Sequence, residues 1–175
     1  MIMNETMRVL LSRRSIRSYR PDQVTDEELD TVIQAGLYAP SGGNRQPWHF
    51  AVVQDAEIRT ELREIAKEIH GRDIDSFFYA PTIIVVFADQ TSMTPVQDAS
   101  LALGNMHNAA WSLGLGACWV NFVRDIFETE KGASLKKRLE PDDNFIAVGS
   151  LTLGYPDKPN PVARPRKENT VKYFR

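Results

Sequence analysis

The sequence predicts an α/β or α+β domain, and two observations carry that reading. Four short runs, "HFAVV", "TIIVVF", "GACWV" and "FIAVGSLTLG", are rich in β-branched and aromatic residues, as buried strands are. Before and between them lie longer segments whose apolar residues recur at helical spacing. Helices interleaved with strands bury their apolar faces as layers on a sheet. A chain of 175 residues, 42% hydrophobic and 25% charged, is long enough to bury the core of one domain. No repeat, low-complexity block or Gly/Ser linker divides it, so a single domain over 1–175 is expected.

The elements follow in order. Met3, Met7, Leu10 and Leu11 fall on one helical face, which predicts a short amphipathic helix ending at an arginine cluster. "TDEE", Thr25 to Glu28, has the T-x-x-E form of a capping box, and Leu29, Val32, Ile33 and Leu37 then repeat at helical spacing. Ile58, Leu62, Ile65 and Ile69 mark a third helix between Asp55 and a C-terminal stop at Gly71. The stretch "DASLALGNMHNAAWSLGLG", Asp98 to Gly116, is apolar or small on nearly every face and predicts a central, buried helix. Its Ala99, Ala102, Gly104, Ala109 and Ala110 admit either a close helix neighbour or ordinary packing within the chain. The tail over 156–175 is proline-rich without periodicity, and is expected to wrap over the surface or over a partner.

Composition excludes several classes. The net charge of -2 gives no global field for nucleic acid or an anionic membrane surface, so any basic site is local. The apolar runs fall short of a membrane span, and "MIMNETMRVLL" has neither a basic n-region nor a small-residue cleavage site. A single cysteine, Cys118, forms no internal disulfide and no zinc or iron-sulfur framework. His49, His70 and His107 are too scattered for metal-ligand spacing, so no metal is expected. A reducing, cytoplasmic setting follows. Cys118 beside Trp119 reads as a small core residue rather than a nucleophile, and the G-x-S-x-G of serine hydrolases is missing.

Against that weak background, "RRSIRSYR" places Arg13, Arg14, Arg17 and Arg20 within eight residues. A solvated turn, a nucleic-acid patch and an anion pocket compete to explain them. The nucleic-acid reading lacks basic support elsewhere in the first half of the chain and stacking aromatics beyond Tyr19. An anion pocket suits guanidinium groups, which bind phosphate oxygens bidentately, with Ser15 supplying a hydroxyl between them. No P-loop or G-x-G-x-x-G turn is present, so a phosphate would be held by side chains.

Two further stretches bear on the choice. In "APSGGNRQPWHF", Gly42 and Gly43 allow close backbone approach to a flat ligand, while Asn44 and Gln46 offer amide donors and acceptors for a heterocycle edge. In "ARPRKEN", Arg164 and Arg166 form a second basic cluster that would complete a phosphate clamp from a distant part of the chain, unless it is a solvated terminus. Each feature is weak alone. Together they offer a phosphate end and a heterocycle edge, and Arg20 is left as a surface ion-pair residue.

"RRSIRSYRPDQVTDEEL" followed by "APSGGNRQPWHFAVV" resembles the nitroreductase family of FMN-dependent flavoproteins. "ALGNMHNAAWSLGLGACWV" and the closing "GYPDKP" and "RPRK" match that family in order and position, so the resemblance covers nearly the whole chain. It implies a nitroreductase-like α+β fold with three α-β-α layers, a mostly antiparallel central sheet and an intertwined homodimer. It also implies FMN in two equivalent sites between subunits, reduction by NADH or NADPH, and transfer to an electron-poor small molecule such as a nitroaromatic or quinone.

The same resemblance assigns residues. Arg13, Ser15, Arg164 and Arg166 would hold the FMN phosphate and ribityl chain, and Arg14 matches a neighbouring flavin contact. Arg17 would face the pyrimidine edge of the ring, where a cation stabilises the charge that develops on reduction. Pro40, Ser41, Gly42, Asn44 and Gln46 would come from the partner subunit. The flavin N5 would receive a backbone N–H from the strand end at Val120 to Phe122, although Asn121 and Phe122 stand where many relatives carry Glu-Gly. "HGRDIDSFFYAP" has no match to the ring-contacting Asn and Lys of larger relatives. No side chain need act as a nucleophile, because the flavin carries the chemistry. Other flavin reactions on the same fold (dehalogenation, enone-type dehydrogenation, flavin cleavage) and a flavin store or sensor without turnover are the alternatives.

Overall fold

The computed structural model describes residues 2–139 and 142–175. Among these, one sheet comprises β1 (Trp48–Val53), β2 (Thr82–Asp89), β3 (Gly116–Val120) and β4 (Phe145–Gly154). The strand order is β1-β2-β4-β3, and every pairing is antiparallel. These strands are the four apolar runs of the sequence. β2 lies between two neighbours and is buried from Thr82 to Ala88.

The side chains of β2 alternate between two cores. Ile83, Val85 and Phe87 enter one and Ile84, Val86 and Ala88 the other, as the period of two requires. Helices cover both faces and give the three α-β-α layers. In chain order they are α1 (Glu5–Ser12), α2 (Asp26–Leu37), α3 (Ala56–His70), α4 (Pro95–Ser112), α5 (Val123–Phe127) and α6 (Glu130–Leu139). Val32 of α2 and Ala99, Leu103, Met106 and Ala110 of α4 fill the second core, while α3, α5 and α6 fill the first.

Local signals explain most boundaries. Thr25 and Glu28 make a reciprocal capping box at the start of α2, and Asp55 caps α3, which ends at Gly71 with φ +60°. Gly36 lets α2 press on α4, since a Cβ there would lie 2.8 Å from Met106 Cγ. α5 and α6 were not anticipated: α5 is five residues long, and α6 buries only Gly132 and Leu135.

The central helix departs from its sequence reading in two ways. It runs from Pro95 to Ser112 rather than from Asp98 to Gly116, with proline at its first turn. It is also buried on one side only. Ala99, Ala102 and Ala110 pack inside their own chain, whereas Leu101 is 48% exposed and Gly104 has no atom near its missing Cβ. Ala102 is therefore no candidate for contact with a second helix outside the chain. α1 fully buries no residue, and Met3, Leu10 and Leu11 of its predicted apolar face are exposed.

Candidate functional site

The arginine segment is laid along β3 and the end of β4. Ser15 bridges Ala117 in parallel sense, and Ile16 N–H donates to the Ala117 carbonyl at 2.9 Å. Tyr19 bridges Pro156, with its hydroxyl donating to the Ile16 carbonyl at 2.6 Å and lying 2.7 Å from Thr152 Oγ1. Ile16 is buried beneath. Asp157 N–H donates to the Ser18 carbonyl, so the start of the tail runs beside the same segment. A cleft of about 250 Å³ opens there, lined by Ser15, Arg17, Ser18, Lys158 and Pro159.

The arginines have different duties. Arg13 Nη1 lies 3.3 Å from Nε2 of the buried His107. Arg14 turns back on α1, donating from Nη1 to the Leu11 and Arg13 carbonyls at 3.0 and 2.6 Å, where it offsets the negative end of that helix. Arg17 is exposed and sits over the Phe78 ring at 5.8 Å. Arg20, expected to be an ion-pair residue, instead places its guanidinium 4.9 Å above the Tyr155 ring.

No ion pair among the described residues engages Arg13, Arg14, Arg17, Arg164 or Arg166. Burial, then the charges of Arg14 and Arg166, lower the Arg13 pKa. Arg166 in the tail is thus close enough to repel Arg13, and like charges are gathered without a carboxylate between them. The neighbouring Cys118 thiol is pushed up by burial, against the Arg17 charge and hydrogen bonds from Ser15 and Arg17. A thiol held protonated is a small core group, as its sequence setting predicts.

The Pro40–Gln46 loop is built at the other end of α4. Asp98 is 3% exposed and accepts from Gly42 N–H and from Thr94 Oγ1, both at 3.1 Å. A Cβ on Gly42 would meet Thr94 Oγ1 at 2.5 Å. Packing on Thr94 therefore favours glycine at 42, and its N–H is engaged by Asp98. Gly43, Asn44 and Gln46 adopt left-handed φ of 60°, 55° and 50°. Gln46 Nε2 donates to Asn44 Oδ1 at 3.1 Å, leaving Asn44 Nδ2 and Gln46 Oε1 as an exposed donor and acceptor side by side.

Val120 ends β3 about 10 Å beyond the Ala117 pairing, at the usual strand rise. Asn121 is exposed, and the Phe122 ring stacks on His70 at 3.9 Å. β3 thus links the cation cluster at one end to Val120 and Asn121 at the other. Arg164 lies in the exposed tail, and no hydrogen bond or ion pair among the described residues ties it to Arg13. The loop and the arginine segment are not joined either. Asp98 and His107 are nine positions apart on α4, about 14 Å along its axis. The sequence assigns His107 and Asp98 no site role, because one polar residue in an apolar helix has no periodic signature.

The sequence profile of the nitroreductase family matches residues 10–72 and 72–155, and the chain belongs to that family. A provisionally named NADH dehydrogenase/NAD(P)H nitroreductase of Archaeoglobus fulgidus is 36% identical over 88% of this chain and 87% of its own length. The NADPH-flavin oxidoreductase of Vibrio harveyi is 33% identical over 94% of this chain and 70% of its own. Among solved structures, a nitroreductase with bound FMN from Bacteroides fragilis superposes with a TM-score of 0.91 at 27% identity, covering 99% of this chain and 100% of that one.

Proposed function

We propose that this chain is an FMN-dependent oxidoreductase that passes hydride from NADH or NADPH, by way of the flavin, to an electron-poor acceptor such as a nitroaromatic or quinone. The observation that carries the reading is the cluster of Arg13, Arg14 and Arg166 without a carboxylate partner, laid along β3 beside Ser15. Gathered guanidinium groups repel one another, and a phosphate dianion relieves that repulsion while accepting their hydrogen bonds. The relatives named for NAD(P)H and flavin, and the neighbour with bound FMN, support the same cofactor.

FMN, when bound, supplies the two-electron chemistry at its ring. The chain's residues bind and orient. Arg13, Ser15 and Arg166, with Arg164 from the tail, hold the phosphate and ribityl end, and the Arg14 side chain steadies that segment against α1. Arg17 presents positive charge to the pyrimidine edge. Val120 and Asn121 offer backbone groups at the far end of β3. Asn44 and Gln46 offer a paired donor and acceptor to the ring edge, and the Asp98 carboxylate holds their loop in shape.

The loop is assigned to the partner of a symmetric homodimer. A cleft of about 680 Å³ lies between α1, α2 and α4, lined by Val9, Leu10, Tyr38, Asn105 and Ala109 among others. Leu10 and Tyr38 of its lining are exposed, as are Leu11 of α1 and Leu101 of α4, and apolar side chains left open in one region favour a partner. The 156–175 tail, with Val162, Tyr173 and Phe174 exposed, is proposed to wrap that partner within a single 1–175 domain. Among the described residues no helix is long and apolar enough to cross a membrane. A cytoplasmic setting, without nucleic-acid or membrane partners, completes the proposal.

Sedimentation during FMN titration, paired with steady-state NADH and NADPH oxidation, tests it. The expected result is FMN bound by the dimer at about one per chain, with acceptor-dependent turnover. A monomer that binds FMN undiminished would place the whole site within one chain, and binding without turnover would favour a flavin store.

A further inference from the structure

His107 lies on the buried side of α4, where its neighbours Ala99, Ala102, Leu103, Met106 and Ala110 are all apolar. A polar ring in that row needs partners to offset its lost hydration. It finds them in the arginine segment, where that segment runs beside β3. Nε2 is 3.3 Å from Arg13 Nη1 and 3.1 Å from the Ala117 carbonyl, and the ring also bonds the Arg14 backbone. The Ala117 carbonyl is the same one that receives Ile16 N–H and so anchors the arginine segment to the sheet. The imidazole therefore sits where α4, β3 and the start of the cation cluster meet.

We propose that His107 is a positioning residue for the phosphate end of the cofactor, holding the Arg13 guanidinium in the direction from which it meets the phosphate. The proposal rests on the FMN reading above. A guanidinium has donors only, so the contact at 3.3 Å is a hydrogen bond when Nε2 carries the lone pair and Nδ1 the proton; in that tautomer the Ala117 carbonyl, itself an acceptor, takes its hydrogen bond from Ile16 N–H and none from the ring. Burial, then the Arg13 charge, hold the imidazole pKa down to about 4, so the ring is neutral near pH 7 and has that lone pair to give. An arginine side chain otherwise has several rotatable bonds and a positive neighbour, Arg166, pushing it aside. The histidine fixes one rotamer before the phosphate arrives, so less freedom is lost on binding.

The test compares FMN with riboflavin, which has the same ring and ribityl chain but no phosphate. Binding of each to apoprotein is followed by flavin fluorescence for the wild type, His107→Leu and His107→Gln. The wild type is expected to prefer FMN strongly. His107→Leu should weaken FMN by about tenfold, the order of one hydrogen bond to a charged group, and leave riboflavin unchanged. His107→Gln, whose amide oxygen can accept from Arg13, should recover most of the loss. Equal weakening of both flavins would mean that His107 only supports the fold, and unchanged FMN preference in the leucine variant would mean that Arg13 needs no holding. Either result overturns the proposal. A wild type that binds riboflavin as tightly as FMN overturns the phosphate clamp itself. If His107→Leu does not fold, His107→Asn replaces it: its shorter amide falls short of Arg13, so it should lose FMN preference where His107→Gln keeps it, and equal behaviour of the two overturns the proposal.

Discussion

Replacing Asp75 with alanine probes how the segment beneath Arg17 is held. Asp75 is 7% exposed. One carboxylate oxygen accepts Phe77 N–H at 2.7 Å; the other accepts Tyr79 N–H at 2.6 Å and lies 3.1 Å from Arg63 Nε. Arg63 Nε is close enough for an ion pair but not aligned for a hydrogen bond. These contacts keep Phe78 and Tyr79 in left-handed conformations, φ 57° and 53°, which cost each about 1 kcal/mol or more. Two consecutive aromatic residues do not adopt that backbone unless their surroundings impose it. The result is that the Phe78 ring lies under Arg17 and the Tyr79 ring under Arg63.

Alanine at 75 removes the acceptor of two backbone N–H groups and leaves Arg63, with its side chain 14% exposed, without its counter-ion. Breaking a buried pair by deleting one partner costs about 3–5 kcal/mol. The low end applies, because Arg63 Nη2 still donates to the Ala80 carbonyl at 3.2 Å and relaxation of the strained backbone returns part of the loss. About 3 kcal/mol is expected from urea unfolding at equal chain concentration. The double variant Asp75→Ala/Arg63→Met removes the stranded charge, and should be less destabilised than the two single losses summed, by about 1 kcal/mol or more. A cost below about 1 kcal/mol for Asp75→Ala, or strict additivity in the double variant, would refute the view that a charge pair holds this segment.

Three further outcomes follow from named contacts. His107 has a folded pKa of about 4 against an ordinary 6.5, so its contribution is complete above pH 6.5 and is lost as pH falls towards 4; Arg13 is the cation that bears on it. Over that interval the wild type should lose about 3 kcal/mol more than His107→Leu, read from unfolding curves at several pH values, and parallel losses would exclude His107 as the cause. Arg17→Ala should lower the flavin reduction potential by tens of millivolts in a dye-equilibration titration, while Arg13→Ala should chiefly speed FMN loss on dialysis; equal potentials would remove the Arg17 assignment. Gly132→Ala should destabilise by about 3 kcal/mol or more, because its Cβ would collide with the Ile126 carbonyl oxygen between α5 and α6, and near-native thermal stability would show that this junction can shift.

Much of the fold was legible because its signals are local. Runs of β-branched residues at 82–87 and 145–153 are strands by length and composition, and the Thr25–Glu28 box and Gly71 stop are chemistry carried by a few adjacent residues. α6 was not legible, because a charged helix with one buried leucine has almost no apolar period. The packing of Gly42 was hidden for a related reason: the sequence shows a glycine but not its neighbour, and here the neighbour is Thr94. His107 and Asp75 are long-range devices, each joining residues that only folding brings together. The arginine and Asn-Gln motifs were visible as motifs, while their relative placement was not.

That placement is the argument for a composite site. α4 carries the loop's anchor, Asp98, near its start and the arginine segment's support, His107, nearer its end. Between and just beyond them, Leu101, Gly104, Asn105 and Ala109 line one side of α4, next to the exposed Leu10 and Leu11 of α1. In the proposed homodimer, a symmetric copy packed there would run its own α4 against this one, and a two-fold axis would exchange the ends, so that the partner's loop end could meet this chain's arginine end, and the reverse at the second site. Gly104 is the position where that approach is closest to free, since a Cβ there meets nothing within 4 Å in the single chain. Gly104→Leu should therefore leave the chain's own core intact and act only on association. Gel filtration and flavin absorbance of the purified protein read both consequences together, loss of the dimer and loss of colour. A yellow dimer unchanged by Gly104→Leu would put the partner on some other face.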